Sequence, residues 1–423
     1  MRGALLGGSL LLLALPLSGC DFGNPRPDKP SVEVKLEEPH WTAQTADQLR
    51  RTIAGRAIHG LDRLAFDTSA AAGTTAGDAA LTRVALAYAN ALARGAADPA
   101  RLFAEYTLPR PAIDARAGLI QALDAGRLDV WLDGLAPQSD DYRKLSAAYL
   151  AAAPGSAVPV TGKPIGPGDS DARVPAISGS AKARAIAVEM ERLRWLDRIV
   201  PATRIDVNIA TAELEYWRDG MLADNRRVIT GDSDTQTPQL GSPLFQLVAN
   251  PTWTVPRSIQ RRELAGKGDD YLRRHNMQWK NGRIVQLSGP QNSLGLVKFG
   301  LKNPYAIYLH DTPAKHLFHE SERQRSHGCV RVEDALGFAD MIARDEGVSE
   351  QWQAARSGDK QRFVSLPREI PVRLLYRTVV FDNAGAPVVR ADPYGWNDRI
   401  AAKLGFAVPA SREARSQRTD IGP

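Results

Sequence analysis

Over the first third of the chain, apolar residues recur at helical steps. Leu81, Val84, Tyr88 and Leu92 fall on one face, while Pro109-Arg110-Pro111 and Ala136-Pro137-Gln138 punctuate the segments. From Trp41 to about Ala153 the pattern predicts an alanine-rich helical domain with no chemistry of its own. Pro154 to Pro175, rich in proline and glycine, reads as a linker, and Ile186, Met190, Leu193 and Leu196 then mark one face of an amphipathic helix. Beyond this the period changes to two. Arg204 to Ile209 alternates strictly, and Leu214–Trp217, Arg227–Thr230, Leu244–Val248, Ile284–Leu287, Leu296–Phe299 and Tyr305–Leu309 follow as short strands, with a hairpin signal at Arg218-Asp219-Gly220. A helix at Val332 to Asp345 precedes a last strand at Val372 to Arg377. The reading is an α+β chain: a helical domain, then a mainly β, sandwich-like or barrel domain with one embedded helix. The polar, Arg/Lys-rich stretch from Pro256 to Gly282 is too long for a tight turn and is expected to be an insert, acting as a lid.

A length of 423 residues suffices for two or three domains. The net charge of +6 is spread out, with no basic block interleaved with aromatics, so nucleic-acid binding has no support. Arg2, the apolar run Leu5 to Leu17 and Leu17-Ser18-Gly19-Cys20 form an export signal followed by a lipobox-like sequence, in which Cys20 would become the lipid-modified end. An ordinary cleaved signal is the alternative. The proline-rich Asp21 to Pro39 then reads as a tether. The expected segments are 1–20 signal, 21–40 tether, 41–200 helical domain, 203–378 β domain with insert 256–282, and 379–423 a C-terminal extension.

Chemistry concentrates in one place. The chain has two cysteines, Cys20 and Cys329, and Cys329 follows His310 by nineteen positions within Ser326-His327-Gly328-Cys329-Val330-Arg331. A thiol is mostly protonated near neutrality, so a nucleophilic cysteine needs a base or a compensating charge, and His310 titrates in the right range. At the end of the strand Tyr305–Leu309, Tyr308 and His310 would face one side, with Ile307 and Leu309 in the core. Asp311, through carboxylate or carbonyl, would orient the ring. Gly328 allows close approach or positive φ, and its N–H with that of Cys329 would form an oxyanion hole. Arg331, on the face of Cys329, would clamp a substrate carboxylate. Two other readings compete: a buried inert thiol, and a zinc site from His310, His316, His319, His327 and Cys329, for which no recognised ligand spacing exists. His316 and His319 read as surface residues.

At these residues the sequence resembles the L,D-transpeptidases with the YkuD-type catalytic domain, in the large Gram-negative form with an N-terminal scaffold domain. Asn250-Pro251-Thr252-Trp253-Thr254-Val255-Pro256, Gly289 to Gly295 and Ile307 to Pro313 extend the likeness, and Glu191 to Leu196 resembles the scaffold. A small peptidoglycan-binding module common in relatives appears as a deletion near 165–182. The resemblance implies that Cys329 attacks the diaminopimelate carbonyl of a donor tetrapeptide stem, with His310 as base and then acid. A second stem's amine would complete a three-to-three cross-link. It further implies that Tyr308, Ser326, Trp253 and His327 line the site, that carbapenems acylate Cys329, and that no metal or organic cofactor takes part. Expected partners are the donor and acceptor stem peptides and, through Cys20, a membrane on the periplasmic side, inner or outer. The same acyl-enzyme passed to water or to a protein amine would instead give an L,D-carboxypeptidase, an endopeptidase or a protein-attaching enzyme. A non-catalytic wall-binding lipoprotein is the alternative of another class.

Overall fold

Helix starts in the first third are set by capping side chains: Thr42, Thr74, Asp114 and Ser139 each accept a backbone N–H of the first turn. The computed structural model describes residues 38–152, 158–161, 176–177 and 179–408. The export signal, Cys20, nearly all of the tether, most of the linker and the polar end after Val408 lie outside the described residues. From Pro39 onward the chain forms one compact unit. No described helix is long and apolar enough to cross a membrane.

Helices Ala43–Ala54, Thr75–Arg94, Ala115–Asp124, Leu128–Leu135 and Asp140–Ala151 pack through Leu49, Leu81, Tyr88, Leu92, Leu119, Leu132 and Leu145. Helix Gly179–Trp195 departs from the amphipathic expectation. It is buried from Ala185 to Arg192 without interruption, charged residues included, because it lies between the helical cluster and the β domain. Both buried carboxylates are matched. Glu189 receives Arg377 Nε at 2.8 Å and the Thr378 N–H at 3.1 Å, while Glu191 receives Arg194 Nη2 at 2.6 Å and the Ala97 N–H at 2.7 Å.

Nine strands form the main sheet: β1 Arg204–Asn208, β2 Glu213–Arg218, β3 Met221–Gly231, β4 Gly241–Ala249, β5 Val297–Leu301, β6 Leu309–His310, β7 Gln324–Ser326, β8 Val330–Val332 and β9 Arg362–Leu375. Their order is β7-β3-β8-β6-β5-β4-β9-β1-β2, and β2 pairs again with β3, so the circuit closes on itself as a barrel does. The α+β class expected from the sequence holds. Helix Ala335–Asp345 packs Phe338, Ala339 and Ile342 into the same core.

Two local expectations are corrected. The stretch Tyr305–Leu309 is strand only from Leu309. Ala306 takes a φ of +56°, and Asn303 Oδ1 accepts the Tyr305 and Ile307 N–H groups, so the chain turns where a strand was expected. Part of the supposed linker, Val158–Thr161, is a strand that runs parallel to Pro387–Arg390. The C-terminal extension is ordered as a hairpin, Val379–Phe381 with Pro387–Arg390, and a helix, Trp396–Lys403. Trp396 packs on Tyr376, Tyr394 and Phe103, which joins the extension to both the barrel and the helical domain. The insert is a small folded body of short helices and the hairpin Met277–Lys280/Arg283–Gln286. It has its own apolar cluster of Trp253, Val255, Ile259, Leu264, Leu272, Met277, Ile284 and Leu294.

Among the buried groups of the helical domain, His59 is held at a pKa of about 4, first by burial and then by the nearby Arg194 charge. The unfolded chain takes up this proton near pH 6.5 and the folded chain does not, so stability falls as pH drops from 6.5 towards 4. The loss should be on the order of 2–3 kcal/mol. Thermal melts at pH 7 and pH 4.5 should show it, and His59→Gln should flatten the difference. An unchanged difference in that variant would assign the acid sensitivity elsewhere.

Candidate active site

The site depends on the parallel pairing of β6 with β8. The Val330 N–H donates to the Tyr308 carbonyl at 3.1 Å, and Leu309 stands opposite Val330, His310 opposite Arg331. Leu309 and Val330 enter the core, so the alternate residues Tyr308, His310, Cys329 and Arg331 share the other face. On β5, Lys298 stands opposite His310, and Val248 of β4 follows in the same row. Gly300, near Tyr308 in register, stands opposite Gln246; a Cβ there would come within 2.7 Å of the Gln246 side chain.

Of this face, Tyr308 and Cys329 floor a cavity of about 710 Å³, whereas the buried His310 and Arg331 are not among its lining residues. Its lining includes Cys329, Tyr308, Lys298, Gln246, Val248 and Phe363 below, with Trp253, Ile259, Arg262, Arg283 and His327 among the rest. The insert therefore overhangs the thiol. Cys329 is 6% exposed and reduced, and its S–H donates to the Ala306 carbonyl at 3.6 Å. Burial pushes the thiol up to about 11. Hydrogen bonds from Tyr308 and the charges of Lys298 and Arg331 oppose that shift. Burial raises the Tyr308 phenol well above its ordinary value, and the neighbouring sulfur adds to the effect. The Lys298 ammonium sits 3.9 Å from the centre of the Tyr308 ring, and burial lowers its pKa.

Around the thiol the backbone is fixed by a chain of hydrogen bonds. Gly328 adopts a φ of +111°, which only glycine takes without strain. Its N–H donates to Ser326 Oγ at 3.1 Å, and Ser326 Oγ donates to the Cys329 carbonyl at 2.5 Å. Thr237 Oγ1 donates to the Gly328 carbonyl at 2.9 Å. The Thr237 N–H in turn donates to the Tyr394 hydroxyl at 3.2 Å, and that hydroxyl donates to the Gly231 carbonyl at 2.5 Å.

His310 is fully buried, and its Nδ1 donates to the Asp311 carbonyl at 2.5 Å. A carbonyl only accepts, so Nδ1 carries the proton and Nε2 carries the lone pair of the neutral ring. The orienting group is thus the Asp311 carbonyl. The Asp311 carboxylate turns instead to Lys315 and to the Leu296 N–H.

Several sequence expectations are corrected here. Arg331 is 1% exposed and is not among the residues lining the cavity, and its charge opposes the rise of the Cys329 thiol. Ser326 is fully buried and serves the backbone of the Cys329 turn rather than a substrate. The Gly328 N–H is spent on that serine, so it is not an oxyanion donor. His327, Trp253, Tyr308 and Cys329 do line the cavity, and His327 Nε2 pairs with Glu263 of the insert. His316 and His319 are exposed, and no cluster of metal-ligating side chains exists among the described residues. Sequence reasoning missed Lys298, Thr237, Tyr394, Glu263 and the two cavity arginines. A lysine alternating with Val297 and Phe299 was the one available signal.

Residues 202–372 match the family model of the L,D-transpeptidase catalytic domain, YkuD, and residues 35–148 match that of the Scaffold domain. The chain therefore carries a YkuD-type L,D-transpeptidase catalytic domain behind an N-terminal Scaffold domain. A protein of Haemophilus influenzae, provisionally named an L,D-transpeptidase, is 30% identical over 254 residues, 54% of this chain and 51% of the relative. The chain thus spans about half the length of that curated relative. Among solved structures, an L,D-transpeptidase from Mycobacterium smegmatis is 12% identical over 41% of this chain and 58% of its own, with a TM-score of 0.25. The ertapenem-acylated catalytic domain of the E. faecium L,D-transpeptidase is 14% identical over 42% of this chain and 99% of its own, with a TM-score of 0.24. Scores this low say nothing about the site.

Because the thiol sits near pH 11, alkylation of Cys329 by iodoacetamide should rise about tenfold per pH unit across neutrality and level off only at high pH. Removing a positive neighbour disfavours the thiolate, so Lys298→Met should shift the curve to higher pH and slow the reaction at pH 8. Lys298→Arg should hold it in place. Mass spectrometry of the Cys329 peptide gives the rates; identical profiles for wild type and Lys298→Met would remove the lysine from the thiol's surroundings.

Proposed function

We propose that this protein is a peptidoglycan L,D-transpeptidase acting through a Cys329 acyl-enzyme. One observation carries the reading: a reduced cysteine opens onto a cavity lined by Arg262, Arg283 and Lys298, on the same sheet face as a histidine whose Nδ1 is committed to the Asp311 carbonyl. The matched catalytic domain supports peptidoglycan stem peptides as substrates.

In the first half-reaction the Cys329 thiol loses its proton to His310, and Sγ forms a bond to the diaminopimelate carbonyl of the donor tetrapeptide. The tetrahedral intermediate collapses by breaking the amide bond to the terminal D-alanine, whose amine leaves with the proton from His310. In the second, the side-chain amine of another stem's diaminopimelate attacks the thioester and loses a proton to His310. Its collapse restores the thiol and gives the three-to-three cross-link. A thiol raised to about 11 explains why the base must act during attack, and why Lys298 and the Tyr308 hydroxyl matter. No metal or organic cofactor has a role in this scheme.

The lipobox at Cys20 supports a lipid-anchored protein facing the periplasm of a Gram-negative cell. Passage of the acyl group to water or to a protein amine is the competing outcome, since the first half-reaction is common to all three. Incubation with disaccharide-tetrapeptide should yield a cross-linked dimer by mass spectrometry, whereas tripeptide alone would identify a carboxypeptidase. Wild-type protein should form a stable carbapenem adduct and Cys329→Ala none, with the fold unchanged by circular dichroism. An adduct that survives in the alanine variant would sink the assignment of the nucleophile.

A further inference from the structure

The charges around the cavity are one-sided. Arg262, Arg283 and Lys298 line it, and no aspartate or glutamate does. Elsewhere in the described residues, arginines are commonly held by carboxylates: Arg194 by Glu191, Arg377 by Glu189, Arg373 by Asp206, Arg218 by Glu346. Arg262, Arg283 and Lys298 take part in no ion pair among the described residues. The nearest acid of the insert, Glu263, is turned to His327. Arg283 is half-buried, its Nη2 reaches only the Val255 carbonyl at 3.5 Å, and its Nε is buried without a hydrogen-bond partner.

Gathering like charges without a counter-ion is unfavourable, and a buried guanidinium N–H left unmatched costs more. Apolar wall residues, Val248, Ile259, Leu294 and Phe363, lower the local dielectric and strengthen any ion pair formed there. The two arginines come from the insert and the lysine from the barrel floor, so an anion held by all three would be gripped between insert and barrel.

We infer that Arg262 and Arg283 of the insert, with Lys298 below them, form a binding site for a free carboxylate of the peptide substrate. This makes the insert a specificity element, and it moves the carboxylate contact from the buried Arg331 to residues that reach the cavity. The inference rests on the peptide-processing reading above, but its test does not require turnover.

Binding of the tetrapeptide is measured by titration calorimetry on Cys329→Ala protein, once with free carboxylates and once with those carboxylates amidated. The free acid should bind at least about tenfold more tightly, the scale of one charge-assisted hydrogen-bonded pair. Adding Arg262→Gln and Arg283→Gln should weaken the free acid most of the way to the level of the amide, with Lys298 keeping the remainder, and leave the amide unchanged. Circular dichroism and the affinity for the amide report whether the insert stays folded. Equal affinities in the parent, an undiminished preference in the double variant, or no binding of either peptide would each overturn the inference. Failure of the acyl-transfer reading is seen separately, as absence of a carbapenem adduct on wild-type protein.

Discussion

Everything at the site follows from two short strands lying side by side in parallel. The Val330 N–H to Tyr308 carbonyl bond fixes the register of β6 against β8, and that register puts Tyr308, His310, Cys329 and Arg331 on one face. A one-residue slip of either strand against the other would invert its own side chains, sending Tyr308 and His310, or Cys329 and Arg331, into the core and turning Leu309 or Val330 outward. Strands so short have little pairing energy of their own. They are held by longer neighbours, β3 and β5, and by the polar turn on either side of the thiol. Catalytic geometry here is therefore a property of the closed strand circuit and not of a local motif.

The helical domain and the barrel are joined by charge as well as by apolar packing. Glu189 and Glu191 are both fully buried on one helix, and each looks in a different direction: Glu189 to Arg377 and Thr378 of the barrel's last connection, Glu191 to Arg194, Trp195 and Ala97. Such carboxylates are costly unless matched in geometry, which makes the docking of the two parts specific. The aromatic group of Tyr376, Tyr394, Trp396 and Phe103 seals the same junction.

Much of this was legible in the residue pattern, and the failures share a cause. Period changes located the helices and most strands because one face of each is apolar, and the rarity of cysteine exposed Cys329. The residues that surround the thiol in space were harder. Lys298 lies on another strand, Arg262 and Arg283 on the folded insert, and Tyr394 in the C-terminal extension, so only the closed fold brings them together. For Arg331, alternation gave the face it shares with Cys329 and said nothing of how deeply that part of the face is covered. Ser326 and Gly328 misled in the opposite sense, as their polar groups are consumed by the turn. For the Tyr305–Leu309 segment, the apolar run outweighed Asn303, whose side chain captures two backbone N–H groups and bends the chain.

The relay from Tyr394 through Thr237 to the Gly328 carbonyl has a consequence for where the folded unit ends. Tyr394 lies past the last strand of the barrel and past residue 372, where the matched catalytic domain stops, yet its hydroxyl braces the turn that carries Cys329. A chain cut after Leu375 would keep all nine strands and leave the Thr237 N–H and the Gly231 carbonyl without the phenol between them. The boundary drawn by likeness to other chains thus falls short of the boundary drawn by hydrogen bonds.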